Sequence, residues 1–506
     1  MRWGHVFALA RMLLRFFVRR VVRTGALSAV WARGLVAVGA AALLVVTSAA
    51  AVGFLEPMAQ DEEVWRLLFD TTTVSLLLWA LIAFLFVKLL FMHTDGLQEF
   101  SYQLPLTNRE RSLAFLLYEG SMAAVLVAVG ALSVSVAGLY LVGPEMIPQI
   151  IVAVIAPTAL SYLVMSVAFM AATRILARSP VRRISNVLLV LAIFGAIVAY
   201  AGQMRGTMLA ISDAHLEGRE PGFHWQTAVA WCAERYGFGV ALLGVVGVAA
   251  VLVFLVVLLT PNQPVESSRF VQVPVPAWPG RRFGPYQWSL LRSSHTIVGV
   301  VISTAVFVYL LVTPAISPLW SLSILTFGGL YQFSATAPLR GMVRGRSSPW
   351  SIYGRLVGAQ ATLLTGIAVP QVALFLAVHP DQAPAVATPL LGALFGVVLT
   401  TCIGIVFPSE KDNPFSIFIG LSCAAVVLVL VALGLGVLRL PPWAMYVVVS
   451  ACGAALVWYA VEGIRASESR RRHASVPAGR ELRGRRRVAH PDDGHGLSVV
   501  ADVRGG

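Results

Sequence analysis

Long apolar runs recur along the whole sequence and constrain its fold more than any other feature. A run of about 20 mostly apolar residues is long enough to cross a bilayer as an α-helix. Only 12% of the 506 residues are charged, whereas a soluble domain carries about 25%. A chain with so few charges cannot cover itself with a surface that water solvates. The sequence therefore predicts an all-α polytopic membrane protein.

The apolar runs predict about twelve transmembrane helices. The expected spans are residues 34–55, 68–92, 113–142, 148–173, 184–203, 237–260, 295–313, 318–338, 353–378, 388–408, 414–438 and 441–464.

The charges between the spans predict which side of the membrane each segment faces. Arginine and lysine collect in short cytoplasmic loops. Residues 1–33 hold seven arginines and no acid, and residues 174–183 and 339–352 also carry arginines without acids. Residues 56–66 are acidic, as expected outside. This alternation requires an even number of spans and predicts that the N- and C-termini are both cytoplasmic.

The choice of basic residue indicates the source of the chain. Lys88 and Lys411 are the only lysines, and every other basic side chain apart from histidine is an arginine. Such a bias is typical of a GC-rich bacterial genome, so we expect a bacterial plasma membrane protein.

A proline-rich segment divides the predicted spans into two groups of six. This linker, residues 261–294, separates a first half at 34–260 from a second half at 295–465. Residues 1–33 precede the first half as a basic amphipathic segment, and residues 466–506 are expected to form a disordered basic tail. A plan of six plus six spans is typical of transporters built from internal repeats.

The N-terminal segment predicts a helix that lies on the membrane surface. Its arginines repeat every four residues, at Arg11, Arg15, Arg19 and Arg23. Such a row would face lipid headgroups while the apolar rows face the membrane. Anionic membrane lipids, not nucleic acid, are therefore the expected partners of the basic charge. A shorter counterpart, at residues 283–292, closes the linker before the second half.

A short polar segment precedes the third span of each half. In the first half it consists of Pro105, Leu106, Thr107, Asn108, Arg109, Glu110 and Arg111. Thr107 followed three residues later by Glu110 is the pattern of a capping box. In the second half the corresponding residues are Arg344, Arg346, Ser347, Trp350 and Arg355. A Tyr-Gln pair precedes the segment in both halves, at 102–103 and at 331–332.

These features resemble the permease subunit of ABC-2-type exporters. Permeases of that family have six spans per half, a surface helix before the first span, and a short cytoplasmic helix between spans two and three that docks on an ATPase. The resemblance implies that residues 104–111, and the looser match at 344–355, contact a separate cytosolic P-loop ATPase present in two copies. ATP and Mg would be bound by that partner. The second half departs from the family plan because only residues 437–442 join its last two spans.

The chain itself lacks the motifs of a nucleotide-binding protein or a metalloenzyme. No G-x-x-x-x-G-K-[ST] sequence occurs, so no P-loop is expected here. The cysteines and histidines share no ligand spacing, and we expect no metal site and no cofactor on this chain. The sequence thus favours a transport subunit, not an enzyme, which moves a hydrophobic or amphiphilic substrate.

Two alternatives stay open. An ion-coupled secondary carrier needs ionisable groups inside the membrane, and here Asp70, Lys88 and Glu119 are expected near span ends. Glu119 would either pair with an arginine of residues 104–111 or lie at the interface. A membrane-embedded lipid- or glycan-processing enzyme, or a scaffold, would use the outside loop 204–236. The polar groups of that loop are Asp213, His215, Glu217, Glu220 and His224.

Overall fold

A computed structural model describes most of the chain, and helices make up nearly all of what it describes. The described residues are 2–23, 30–58, 61–91, 101–179, 185–219, 222–260, 284–312, 316–342, 348–408, 420 and 442–474. No β-strand occurs within these ranges. The chain is an all-α polytopic membrane protein, as its sequence predicts.

The helices of the first half include both long spans and short connecting pieces. They are α1 Trp3–Arg23, α2 Val30–Leu55, α3 Glu62–Phe91, α4 Asn108–Leu141, α5 Ile147–Ile150, α6 Ala156–Ala177, α7 Ser185–Leu216, α8 Ala228–Tyr236 and α9 Phe238–Leu259. Single 3₁₀ turns lie at Glu56–Met58, Pro144–Met146 and Trp225–Thr227, and one π-helical turn lies at Ile151–Ile155.

The helices of the second half are interrupted more often. They are α10 Pro285–Leu291, α11 Ser294–Val312, α12 Ser323–Thr326, α13 Gly328–Ala335, α14 Ala337–Met342, α15 Pro349–Val378, α16 Ala387–Val406 and α17 Pro442–Ala474. Segments of 3₁₀ helix at Pro318–Leu322 and Pro380–Val386 precede α12 and α16.

Nine helical segments among the described residues are long and apolar enough to cross a membrane. They coincide with the predicted spans one to seven, nine and ten. The predicted twelfth span, 441–464, falls on α17. The predicted eleventh span, 414–438, lies outside the described residues apart from Gly420. The total of twelve therefore stays a prediction.

The predicted eighth span, 318–338, is not one helix, which corrects the reading from hydropathy. It consists of a 3₁₀ segment followed by α12, α13 and α14, here called the broken segment (residues 318–342). Three of its carbonyls, on Ser321, Leu325 and Thr326, accept hydrogen bonds from side chains of neighbouring helices. The donors are Ser303 Oγ at 3.0 Å, Gln360 Nε2 at 2.7 Å and Thr400 Oγ1 at 2.7 Å. These donors satisfy backbone groups at the breaks, which lipid could not do.

The predicted fourth span also contains a break, which Pro157 explains. Proline has no N–H, so it cannot donate to the carbonyl four residues earlier, on Ala153. The backbone widens into the π-turn over Ile151–Ile155 just before the proline. Thr73 Oγ1 on α3 lies 2.7 Å from the Ala153 carbonyl and donates the missing hydrogen bond. Spans two and four are joined at this point.

Two predicted segment boundaries are corrected by the helix lengths. The outside loop was expected over 204–236, but α7 continues to Leu216 and α8 covers Ala228–Tyr236. The basic tail was expected from residue 466, but α17 continues to Ala474. Residues 475–506 lie outside the described part of the chain.

Each half has its own apolar core, and the two halves meet along α7 and α11. One large core joins α1, α3, α4 and the π-turn region of the first half. In the second half, two smaller cores surround α15 and α16. Between the halves, Val190 of α7 packs with Val298 and Ile302 of α11. The short α10 packs on the second half through Tyr286 and Leu290, which are buried.

Glycine allows the broken segment to approach α16 closely. A Cβ added at Gly404 would stand 2.7 Å from the carbonyl oxygens of Gly329 and Leu330. These atoms belong to the backbone, so they cannot move aside as a flexible side chain would. A glycine at 404 is therefore required by the contact.

We expect Gly404→Ala to lower the free energy of unfolding by about 1–3 kcal/mol, because the added methyl overpacks a backbone contact. The measurement is the thermal midpoint of the purified chain in detergent. Gly366→Ala on α15 is the matched control, since its Cβ would meet nothing within 4 Å, and it should leave the midpoint unchanged or slightly higher. Equal midpoints for the two variants would contradict the close contact.

Candidate functional site

The predicted docking segment of the first half lies where α1 meets the start of α4. Thr107 caps α4 in a capping box: the Glu110 amide donates to Thr107 Oγ1, and Glu110 Oε2 accepts from the Thr107 amide. The other carboxylate oxygen, Glu110 Oε1, accepts the amide of Arg2 at 2.9 Å, at the start of α1. One carboxylate therefore holds the N-termini of two helices, where the helix dipoles favour negative charge.

Arg111 is buried in this junction and faces inward. Its Nε donates to the Ser101 carbonyl at 3.2 Å, and one terminal nitrogen donates to Asn108 Oδ1 at 2.7 Å. Its guanidinium also lies 3.8 Å from the centre of the Tyr102 ring. In this structure Arg111 fastens the segment before α4 onto the start of the helix, and its contact with a partner stays a prediction.

Other members of the segment remain available at the surface. Pro105, Thr107 and Arg109 are exposed, whereas Leu106 and Asn108 are half-buried. Leu106 packs against the core of the first half. The surface that a partner would meet at this junction therefore presents two exposed cations, Arg2 and Arg109.

The corresponding segment of the second half is only partly described. Arg344, Arg346 and Ser347 lie outside the described residues. Ser348 caps α15 by accepting the amide of Ser351 at 3.2 Å. Trp350 is 49% exposed, and Arg355 is also exposed. The helix start expected here is present.

A repeated pattern between the halves escaped the sequence analysis. Residues 102–111 read Tyr-Gln-x-x-x-Thr-x-x-x-Arg, and residues 331–340 read the same. In the second copy Arg340 is also buried, lies 3.5 Å from the centre of the Phe333 ring and donates to the Phe333 carbonyl at 2.8 Å. Both arginines are thus buried, stacked on a ring and bonded to a carbonyl. The two copies differ in position, because residues 102–111 precede and begin α4, whereas residues 331–340 lie within the broken segment. The docking role of residues 344–355 stays a prediction.

The surface helix α1 is present with the expected faces. Val6, Leu9, Ala10 and Leu13 form its buried stripe and belong to the first core. Arg11, Arg15 and Arg19 are exposed on the opposite side. Arg23 is the last residue of the helix. The helix packs on α4, and the ring of Phe17 meets that of Tyr118 edge-on at 6.4 Å.

A cavity of about 260 Å³ lies between the two halves and is lined almost entirely by apolar groups. Leu85 and Phe86 of α3 and Phe194 of α7 supply the wall from the first half. The second half contributes α11, the broken segment and one residue of α15. Its lining residues are His295, Thr296, Val298, Gly299, Ile302, Ile324, Leu325, Phe327, Gly328, Leu330, Tyr331 and Leu363. The rings of His295 and Tyr331 stack there at 3.8 Å.

Glu119 pairs with a lysine and not with an arginine of residues 104–111. It forms a buried ion pair with Lys88 of α3, in which the two side chains are 12% and 6% exposed. Lys88 Nζ also lies 4.8 Å from the centre of the Phe169 ring on α6. The pair therefore ties α3, α4 and α6 together inside the first half.

The polar groups of residues 204–236 do not converge on one point. Asp213 is exposed, and Glu217 pairs with Arg219 at the surface. His215 instead points to Asp70 on α3, with 3.9 Å between Nε2 and Oδ2. Glu220 lies outside the described residues, and His224 is half-buried. Within the described ranges, no group of three or more His, Cys, Asp or Glu residues could hold a metal ion.

Comparison with known proteins adds nothing to this geometry. No protein-family model matches the chain, and neither does any curated protein or solved structure. The class that the fold defines is a multi-pass α-helical membrane protein.

We expect Glu110→Ala to lower the free energy of unfolding by about 2 kcal/mol, because it removes a cap from two helices at once. Glu110→Gln should have a smaller effect, since glutamine can also close a capping box. Thermal midpoints measure the loss, and amide hydrogen exchange at residues 2–6 locates it. The control is Glu145→Ala, an exposed acid, which should change neither quantity. An unchanged exchange rate at residues 2–6 would refute the double cap.

We expect Lys88→Met to destabilise the chain by about 3–5 kcal/mol, because it leaves the Glu119 carboxylate buried without its partner. The double variant Lys88→Met, Glu119→Leu should regain most of that loss, since no unpaired charge remains. A double-mutant cycle on thermal unfolding in detergent measures the coupling. Simple additivity of the two single changes would show that the side chains do not interact.

Proposed function

We propose that this chain is the membrane subunit of an ATP-driven exporter, coupled to a separate cytosolic ATPase, and that it moves a hydrophobic or amphiphilic substrate. The proposal includes a bacterial plasma membrane and cytoplasmic termini, which the basic N-terminal segment supports. The observation that carries the proposal is the junction of α1 and α4. There Glu110 holds two helix starts together while Arg109 stays exposed beside it.

This junction suits a contact that transmits force. A partner that presses on residues 105–109 would meet a segment that is held in place. Glu110 ties its end to the start of α1, and the buried Arg111 ties it back to the Ser101 carbonyl before the segment. It would therefore displace α1 and α4 together and would not merely bend a loop. Because α4 packs on both α2 and α3, the displacement would reach the helices inside the first half.

The cavity between the halves lies in the path of such a movement. Helix α3, which packs on α4, also supplies Leu85 and Phe86 to the cavity wall. The opposite wall includes the broken segment. The apolar lining supports a substrate with a hydrophobic part.

One observation favours an ion-coupled secondary carrier as the second candidate. Such carriers place ionisable groups within the membrane, and Lys88 and Glu119 form a buried pair within the spans. A carrier would transport after purification without any ATPase, whereas the subunit of an exporter would not.

The decisive experiment is a pull-down of the tagged chain from its native membrane in mild detergent, with mass spectrometry and an ATPase assay. We expect a P-loop ATPase to co-purify and Arg109→Glu to abolish most of its recovery, because the change reverses the charge of an exposed cation. Arg178→Glu is the matched control, since Arg178 is an exposed arginine at the end of α6 on the same predicted side. The thermal midpoint checks that both variants fold.

Other outcomes of this experiment decide against the proposal. Recovery of the ATPase that is equal for both variants would remove the junction as the docking site. A chain recovered alone, which then moves solute down an ion gradient in liposomes, would establish the secondary carrier instead.

A further inference from the structure

A second cavity, of about 200 Å³, lies within the first half near the N-terminal end of α3. It is walled by α3, the π-turn region, α8 and the start of α9. Its lining residues are Arg66, Phe69, Asp70, Pro148, Gln149, Val152, Ala153, Ala230, Ala233, Glu234 and Phe238. We call it the Asp70 cavity. Nothing in the proposed exporter mechanism uses it.

A buried carboxylate lines this cavity. Asp70 is only 7% exposed. The nearest cationic candidate is His215, whose Nε2 lies 3.9 Å from Asp70 Oδ2 and is itself buried without a hydrogen-bond partner among the described residues. That distance is too long for a hydrogen bond. Asp70 therefore lines the cavity without a hydrogen bond to a basic side chain in the described part of the chain.

The neighbouring charges leave Asp70 uncompensated. Arg66 is the closest arginine along α3, but its guanidinium pairs with Glu234 of α8 at the half-exposed rim. Because Arg66 is paired with Glu234 and His215 lies beyond hydrogen-bond distance, no cation is bonded to the Asp70 carboxylate among the described residues. A buried charge without a partner is costly, and a cationic ligand would remove that cost.

The walls of the cavity select the kind of cation. Phe69 and Phe238 present aromatic surface, and Ala153, Ala230 and Ala233 leave room beside it. A bare metal ion needs several oxygen ligands, whereas an ammonium group needs one carboxylate and tolerates aromatic and aliphatic walls. Val152 and Ala153 of the π-turn line the space, and π-turns are frequent at functional sites.

We propose that the Asp70 cavity binds the ammonium group of a small organic cation, with Asp70 as its counter-ion. The alkyl part lies against Phe69 and Phe238, and the Arg66–Glu234 pair closes the rim. The carboxylate faces the ligand at the bottom of the cavity. This site does not depend on the exporter proposal, because it is formed within the first half and away from the α1–α4 junction.

The test is isothermal titration of the purified full-length chain in detergent with n-hexylammonium. We expect saturable binding that Asp70→Asn weakens by about tenfold or more, because a charge-assisted hydrogen bond is lost. Hexanol and hexanoate, with the same chain and no positive charge, should not bind at this site. Asp213→Asn is the control, an exposed acid on α7, and should leave the affinity unchanged.

A second variant makes the outcome independent of folding. Arg66→Gln removes a positive charge from the lining of the cavity, so hexylammonium should bind more tightly than to the unmodified chain. A misfolded protein cannot gain affinity in this way. Binding that is equal for hexanol and hexylammonium, binding that survives Asp70→Asn, or no binding at all would each overturn the proposal.

Discussion

A bilayer offers no hydrogen bonds to a polypeptide backbone, and the rest of this structure depends on that constraint. Continuous helices meet it internally, and most of the described chain is helical. Where a helix is interrupted, other groups must supply the missing hydrogen bonds. Where Pro157 removes a donor, Thr73 supplies one, and where the broken segment turns between short helices, Ser303, Gln360 and Thr400 do the same. Small polar side chains on neighbouring helices thus allow irregular backbone inside an apolar fold.

The same constraint governs the charged side chains. Each buried charge must have a partner, and each partner fixes how two elements sit together. Glu110 joins α1 to α4, and the Lys88–Glu119 pair joins α3 to α4 beside α6. Asp70 departs from this rule, because its nearest basic group is a histidine beyond hydrogen-bond distance. On this departure we base the proposal of a binding site at Asp70.

The sequence predicted the capping box and the surface helix because both depend on neighbours along the chain. Thr107 and Glu110 are three residues apart, and the arginines of α1 repeat with the helix period. It could not predict that Arg111 turns inward, because its partners Ser101 and Tyr102 are brought close only by the bend before α4. The repeated Tyr-Gln-x-x-x-Thr-x-x-x-Arg pattern was legible in the sequence, but its significance depends on the matching burial of Arg111 and Arg340.

The sequence by itself determined that this chain is an all-α membrane protein, because apolar runs of that length have no other stable environment. It also determined where α4 begins, since the Thr107 capping box acts locally. Tertiary structure decided the features that depend on contacts between distant segments. These are the partner of Glu119, the discontinuity of residues 318–342, the cavity between the halves and the isolation of Asp70. A hydropathy profile averages the apolar character of a window of residues. It therefore cannot show which partner on another helix a single carbonyl or carboxylate contacts.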